Sequence, residues 1–174
     1  MSGTSSLWAP CIERDLSQGD IVDAVPVGVA VDPIQFLKKA SLKGGKPGWM
    51  VSSKPQSKEG NLEYWPTRGR LVPVVVLSHS CDLDKPDRRA RVVVAPVTGA
   101  SGLTSSAWMT ILSSGRRAML PLPGLPGLGD AYADLRLTCT VDRSYIDTCA
   151  RLASMSAPGV TRLQVHFVGF VARG

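Results

Sequence analysis

No CxxC pair occurs among the four cysteines, Cys11, Cys81, Cys139 and Cys149, and their spacing fits no disulfide framework. That excludes a disulfide-stapled scaffold and predicts mostly free thiols. No apolar run approaches the roughly 18 residues that span a bilayer, which excludes a transmembrane helix and predicts no membrane partner. Residues Met1 to Pro10 contain neither a basic n-region nor a long apolar h-region, so the expectation is a chain that stays in the cytoplasm. No GxGxxG opens a helix, and no Gly-rich loop ends in Lys-Ser or Lys-Thr, so nucleotide-phosphate cradles of those types are absent. Aromatic residues are scarce at 6%. What is present is a globular composition, 44% hydrophobic and 20% charged over 174 residues, the size of a single domain. Seventeen glycines and thirteen prolines imply many turns and favour short strands over long helices.

Charge is concentrated. Between Phe36 and Arg70 lie eight bases, Lys38, Lys39, Lys43, Lys46, Lys54, Lys58, Arg68 and Arg70. Only Glu59 and Glu63 oppose them, a local net of +6 that equals the net charge of the whole chain. The other residues hold twelve bases and twelve acids. The same stretch carries Trp49, Tyr64 and Trp65. Cations neutralise phosphates and aromatic rings stack on bases, so the pattern suits a single strand of nucleic acid. A solvated loop that keeps the protein in solution is the other reading.

Along the chain, Ser17 to Asp20 is turn chemistry and Ile21 to Val25 alternates as a strand that Pro26 should stop. Asp32 and Pro33 open an expected helix that runs to Leu42, ended by Gly44 and Gly45. Gly45 to Gly69 reads as a long loop, with room for a short hairpin around Trp49 to Val51. Leu71 to Leu77 and Val92 to Val97 are apolar and β-branched, as in strands buried on both faces. They should lie adjacent, antiparallel and central, joined by the polar loop Asp82 to Arg91. Ala107 to Leu112 and Arg117 to Leu122 read as two more strands, with Trp108 and Met109 in the core. Pro121 to Asp130 reads as a Pro/Gly spacer and Tyr132 to Val141 as one further strand. Tyr145 to Ala153 and Thr161 to Val171 are expected helices, the second burying Leu163, Phe167 and Phe170. The fold class is α+β, mainly β: one domain over 1–174 with a basic insert at about 32–70.

The densest polar cluster, Ser78-His79-Ser80-Cys81-Asp82, follows the apolar strand. In a strand His79 and Cys81 would share a face. Four readings stay open: a Cys81 thiolate with His79 as base, two ligands of a zinc site, a structural thiol beside a hydrogen-bonded histidine, and a role for His79 or Asp82 at a site without the cysteine. An imidazole is the side chain suited to proton exchange near neutral pH, so His79 is expected to matter to function. Cys81 is expected to serve packing.

The order Gly19-Asp20-Ile21-Val22, Pro73 to Ser78 (PVVVLS), Val92 to Thr98 (VVVAPVT) and Tyr132 to Arg143 (YADLRLTCTVDR) resembles the MazF/PemK toxins. That resemblance implies an SH3-like half-open barrel with a C-terminal helix. It also implies RNA as ligand, a protein antitoxin and a homodimer as partners, and cleavage of single-stranded RNA without cofactor or metal. The family's threonine after the third strand falls on Thr98. The family's arginine just before the second strand has no match, because Val72 stands there; Arg70, two positions earlier, is the nearest substitute. The resemblance therefore points to Arg70 as the cation at the phosphate, Thr98 as its hydrogen-bond partner and His79 as base or acid. Lys38, Lys39, Lys43, Lys46, Lys54, Lys58, Arg68 and Trp65 would hold the neighbouring nucleotides.

Overall fold

Val74, Val75 and Val76 are fully buried, and with the equally long β-branched run Val92 to Val94, whose strand they pair with, they form the middle of the sheet. The computed structural model describes residues 7–9, 15–30, 36–41, 47–52, 67–83, 91–113 and 116–172. Its strands are β1 (Trp8–Ala9), β2 (Asp20–Ala30), β3 (Phe36–Ser41), β4 (Pro47–Ser52), β5 (Thr67–Val76), β6 (Arg91–Gly99), β7 (Met119–Leu125), β8 (Gly129–Asp134), β9 (Cys139–Asp142) and β10 (Arg151–Met155). Its α-helices are α1 (Ser80–Leu83), α2 (Ser105–Leu112), α3 (Arg143–Ile146) and α4 (Ala157–Val171). The result is the expected mainly β, α+β fold: an open antiparallel sheet with a C-terminal helix. The chain divides into two compact units, residues 1–25 with 71–174, and residues 26–70.

In the main sheet the strand order is β1-β10-β2-β5-β6-β8-β7, with β9 also paired to β6. β5 and β6 are antiparallel neighbours, Val74 facing Pro96 and Val76 facing Val94, as their patterns predicted. The expected single strand Tyr132 to Val141 is in fact two. From Val94 to Val97 is three steps on β6, but their partners Cys139 and Ala133 are six apart. The extra three residues form a 3₁₀ turn, Leu135–Leu137. Leu135 drops into the core there, and the Asp134 carboxylate accepts the Arg136 N–H to cap the turn.

Other expectations are corrected as well. Ala107 to Leu112 belongs to α2 rather than to a strand, because the Thr104 hydroxyl accepts the Ala107 N–H and caps a helix that buries only Ile111. Trp108 is therefore half-buried and Met109 exposed, not core. Pro121 to Asp130 is no spacer: it holds most of the β7–β8 hairpin, which turns through Gly127 and Gly129, both at positive φ. Tyr145 to Ala153 stays helical only to Ile146, since buried Ala153, Ser154 and Met155 are taken up by pairing with β2 and β1. In the second unit, Phe36 to Ser41 is a strand rather than part of a helix, because β4 is there to pair with it. Asp32, the expected helix cap, lies outside the described residues. β3 and β4 make the hairpin allowed for around Trp49 to Val51, with Lys39 and Trp49 at paired positions. β2 likewise runs through Pro26 to Ala30 instead of stopping.

The core of the larger unit gathers Ile21, Val75, Leu77, Leu120, Leu122 and Leu163 from both ends of its sequence. α4 closes it as expected, with Leu163 fully buried and Phe167 and Phe170 packed against the same cluster. Ser156 caps α4 by accepting the Gly159 N–H, and donates its hydroxyl to Leu7 O. A Cβ on Gly159 would lie 2.5 Å from that same oxygen, so only glycine allows the close approach. Trp8 donates its indole N–H to Pro123 O at 3.0 Å, which ties β1 to the β7 hairpin.

Candidate functional site

Beyond Val76 the chain leaves the sheet and makes one helical turn. Leu77 N–H and Ser78 N–H both donate to Val93 O, at 2.8 and 3.3 Å, while the Ser78 hydroxyl accepts the Val93 N–H at 2.8 Å. Ser78 thus stands in for a missing strand residue. Asp82 N–H and Leu83 N–H then donate to His79 O, closing α1. The expectation that His79 and Cys81 share a strand face fails, since His79 precedes the turn and Cys81 lies within it.

His79 Nδ1 accepts the backbone N–H of Cys81 at 3.3 Å. That places the ring as a cap on the turn and assigns the hydrogen of the neutral ring to Nε2, which remains on an exposed residue. The partner of the imidazole is therefore the amide of Cys81 and not its thiol. Cys81 is a free, exposed cysteine, so the packing role expected of it is not what holds it. Burial pushes the Cys139 thiol up, away from nucleophile chemistry at neutral pH. Among the described residues no group of three or more His, Cys, Asp or Glu could hold a metal ion.

Two residues that sequence reasoning passed over fix this turn in place. Gln18 is buried; its side-chain N–H₂ donates to Leu77 O at 2.8 Å and its Oε1 accepts from Gln164 on α4 at 2.8 Å. Its backbone N–H also points at the Ser80 hydroxyl, 3.5 Å away. Arg143, only 17% exposed, donates to Leu83 O at 2.6 Å and to Asp147 Oδ1 at 2.7 Å, so it satisfies a carbonyl at the end of α1. A lone glutamine in a turn offers no periodic signal. Its value appears only when β5 and α4 lie on either side of it. Asp20, fully buried, accepts the Ser17 N–H at 2.7 Å and pairs with Arg151 Nε at 3.4 Å, which sets the turn that carries Gln18.

The other expected site residues lie elsewhere. Thr98 is exposed on β6, opposite Tyr132 of β8. From Val93, which holds Ser78, to Thr98 is five residues along one strand, about 17 Å at roughly 3.4 Å each. The fold therefore does not bring His79 and Thr98 together. Arg70 is exposed on β5. Arg68 lies on β5, and Lys38 and Lys39 lie on β3. Lys43, Lys46, Lys54, Lys58 and Trp65 lie outside the described residues. No helix of the described residues is long and apolar enough to cross a membrane.

The chain superposes on the crystal structure of MazF (Form-I) from Deinococcus radiodurans with 12% identity and a TM-score of 0.45, covering 92% of this chain and 99% of that one. At that identity and score the likeness carries no chemistry over to this chain. No family model and no curated protein matches the sequence.

Proposed function

We propose that the chain is an RNA-binding protein of the PemK/MazF type, an endoribonuclease toxin or a descendant of one. The observation that carries the reading is the charge distribution: the whole net +6 falls between residues 36 and 70, in a segment whose β3–β4 hairpin pairs a lysine position with a tryptophan position. Phosphate neutralisation by the lysines and stacking on Trp49 and Trp65 would then hold a single strand. In the catalytic form of the proposal Arg70 stabilises the charge that builds on the phosphate, Thr98 hydrogen-bonds it, and a base activates the ribose 2′-OH. A protein antitoxin and a second copy of the chain are the partners this reading supplies.

A specific observation favours the noncatalytic form. His79 uses Nδ1 to cap its own turn, and Thr98 lies some five strand residues from Val93, the residue that anchors the turn. An RNA-binding module that has lost cleavage fits both facts.

The test is anisotropy of a labelled oligouridylate at about 50 and about 200 mM salt, followed by a cleavage assay with chelator present. Binding is expected to weaken by roughly 0.7 log units per log unit of salt for each phosphate neutralised. Cleavage, with growth arrest on expression that Arg70→Ala or His79→Ala relieves, would establish the enzyme. Binding without cleavage would establish the module. No binding at low salt overturns the proposal.

A further inference from the structure

Outside residues 36–70 bases and acids balance at twelve each, yet they are not evenly mixed. Asp134, Asp147 and Asp20 face Arg136, Arg143 and Arg151. Arg116, Arg117 and Arg162 are exposed, and among the described residues none of them pairs with an acid.

The fold brings the backbone of the Arg116–Arg117 turn and the charge of Arg162 to one imidazole. Arg116 and Arg117 form the tight turn into β7, closed by Met119 N–H on Arg116 O at 2.9 Å. Arg162 and His166 are four apart on α4 and so are neighbours on its surface. His166 Nε2 lies 2.9 Å from Arg117 O. A carbonyl only accepts, so Nε2 carries the hydrogen and Nδ1 is where a proton is gained or lost. Burial holds the His166 pKa below 6.5; the bond to the Arg117 carbonyl works the other way, and the charge of Arg162 lowers it further. The acid on the adjoining chain is no counter-charge. Leu135 N–H reaches Ala118 O, but both oxygens of the preceding Asp134 are engaged by Arg136.

We infer that Arg116, Arg117, Arg162 and His166 form a phosphate-binding patch on the larger unit, taking backbone phosphates of a single-stranded nucleic acid. Guanidinium groups match phosphate oxygens in pairs, and a protonated His166 adds a further donor as pH falls. The polymer rests on the RNA reading above; the phosphate chemistry does not.

The full chain and an Arg116→Ser, Arg117→Ser, Arg162→Ser variant are titrated with inorganic tripolyphosphate and with a labelled oligouridylate. The ring resonances of His166 are followed by NMR and assigned by their loss in His166→Gln. Tripolyphosphate is expected to move the wild-type His166 resonance and raise its titration midpoint. The triple variant should bind the oligouridylate at least tenfold more weakly at low salt, with a salt slope smaller by about 2 for three phosphates. Its unfolding midpoint should not move, since the three side chains are exposed. Unchanged oligouridylate affinity and slope, with no His166 response to tripolyphosphate, overturn the inference and leave the RNA reading standing. A His166 response that the triple variant loses, with no oligouridylate binding by wild type, keeps the patch and overturns the RNA reading. No response to either probe overturns both.

Discussion

The segment 36–70 and the rest of the chain use charge in opposite ways. Outside the segment, carboxylates are built into the fold: Asp20 with Arg151, Asp134 with Arg136, and Asp147 with Arg143, which also caps α1. Inside it eight bases meet two acids, too few for internal pairing. Charges with partners serve architecture, and charges without them remain for ligands. By that rule substitutions in the first class should cost stability, and substitutions in the second should cost binding.

The largest effect should come from Asp20→Ala. It removes the buried acceptor of the Ser17 N–H and the carboxylate that pairs with Arg151. A loss of about 3 kcal/mol is expected from urea unfolding followed by circular dichroism. A loss below about 1 kcal/mol would break the comparison at its firmest point.

Next is Gly159→Ala, a change without charge that calibrates the structural class. The new Cβ would sit 2.5 Å from Leu7 O and 3.1 Å from Met155 Cβ, so α4 must back away from the β1 segment. About 2 kcal/mol should be lost in the same assay. No change in the unfolding midpoint would mean that α4 does not approach Leu7 this closely.

The acid side of the pH profile sharpens the contrast further. The Arg136 hydrogen bonds hold the Asp134 carboxyl below its ordinary 3.8, and the Ser144 hydroxyl and amide do the same for Asp142. A folded-state pKa below the unfolded one gives stability that is present above the unfolded value and lost as pH falls through the folded one. Stability should therefore decline from about pH 4 downward, and Asp134→Asn should flatten that limb. His166 adds a gentler decline starting nearer its ordinary 6.5, because burial disfavours the proton that the unfolded chain accepts. Unfolding midpoints that stay level from neutral pH down to about 3 would show that these contacts do not set acid stability.

The smallest stability change belongs to the binding class. Replacing Lys38, Lys39, Lys43 and Lys46 with Ser should shift unfolding by less than about 0.5 kcal/mol, yet flatten the salt dependence of oligouridylate binding by nearly 3 in slope. An unchanged slope would assign the segment to keeping the protein in solution.

Much of this was legible beforehand, and the pattern of misses has a cause. β5 and β6 were readable because a β-branched run buried on both faces has few alternatives, and α4 because Leu163, Phe167 and Phe170 repeat at helical spacing. The Phe36–Ser41 strand and the Ala107–Leu112 helix were misread because short apolar runs fit either period. A pairing partner decided the first, and the Thr104 cap the second. The contacts of Gln18 and Arg143 with the α1 turn could not be found in advance, since Leu77 and Leu83 lie 59 and 60 residues away.

By itself, then, the amino-acid sequence determined the mainly β class, the central strand pair, the C-terminal helix and the placing of all excess charge in 36–70. Those are properties of composition and short-range periodicity, which burial and charge read directly. Tertiary structure alone decided that His79 caps its own turn, that Thr98 stands away from it, and that His166 of α4 reaches the Arg117 carbonyl. Such outcomes depend on which backbone groups are left needing partners, and only the closed fold sets those needs.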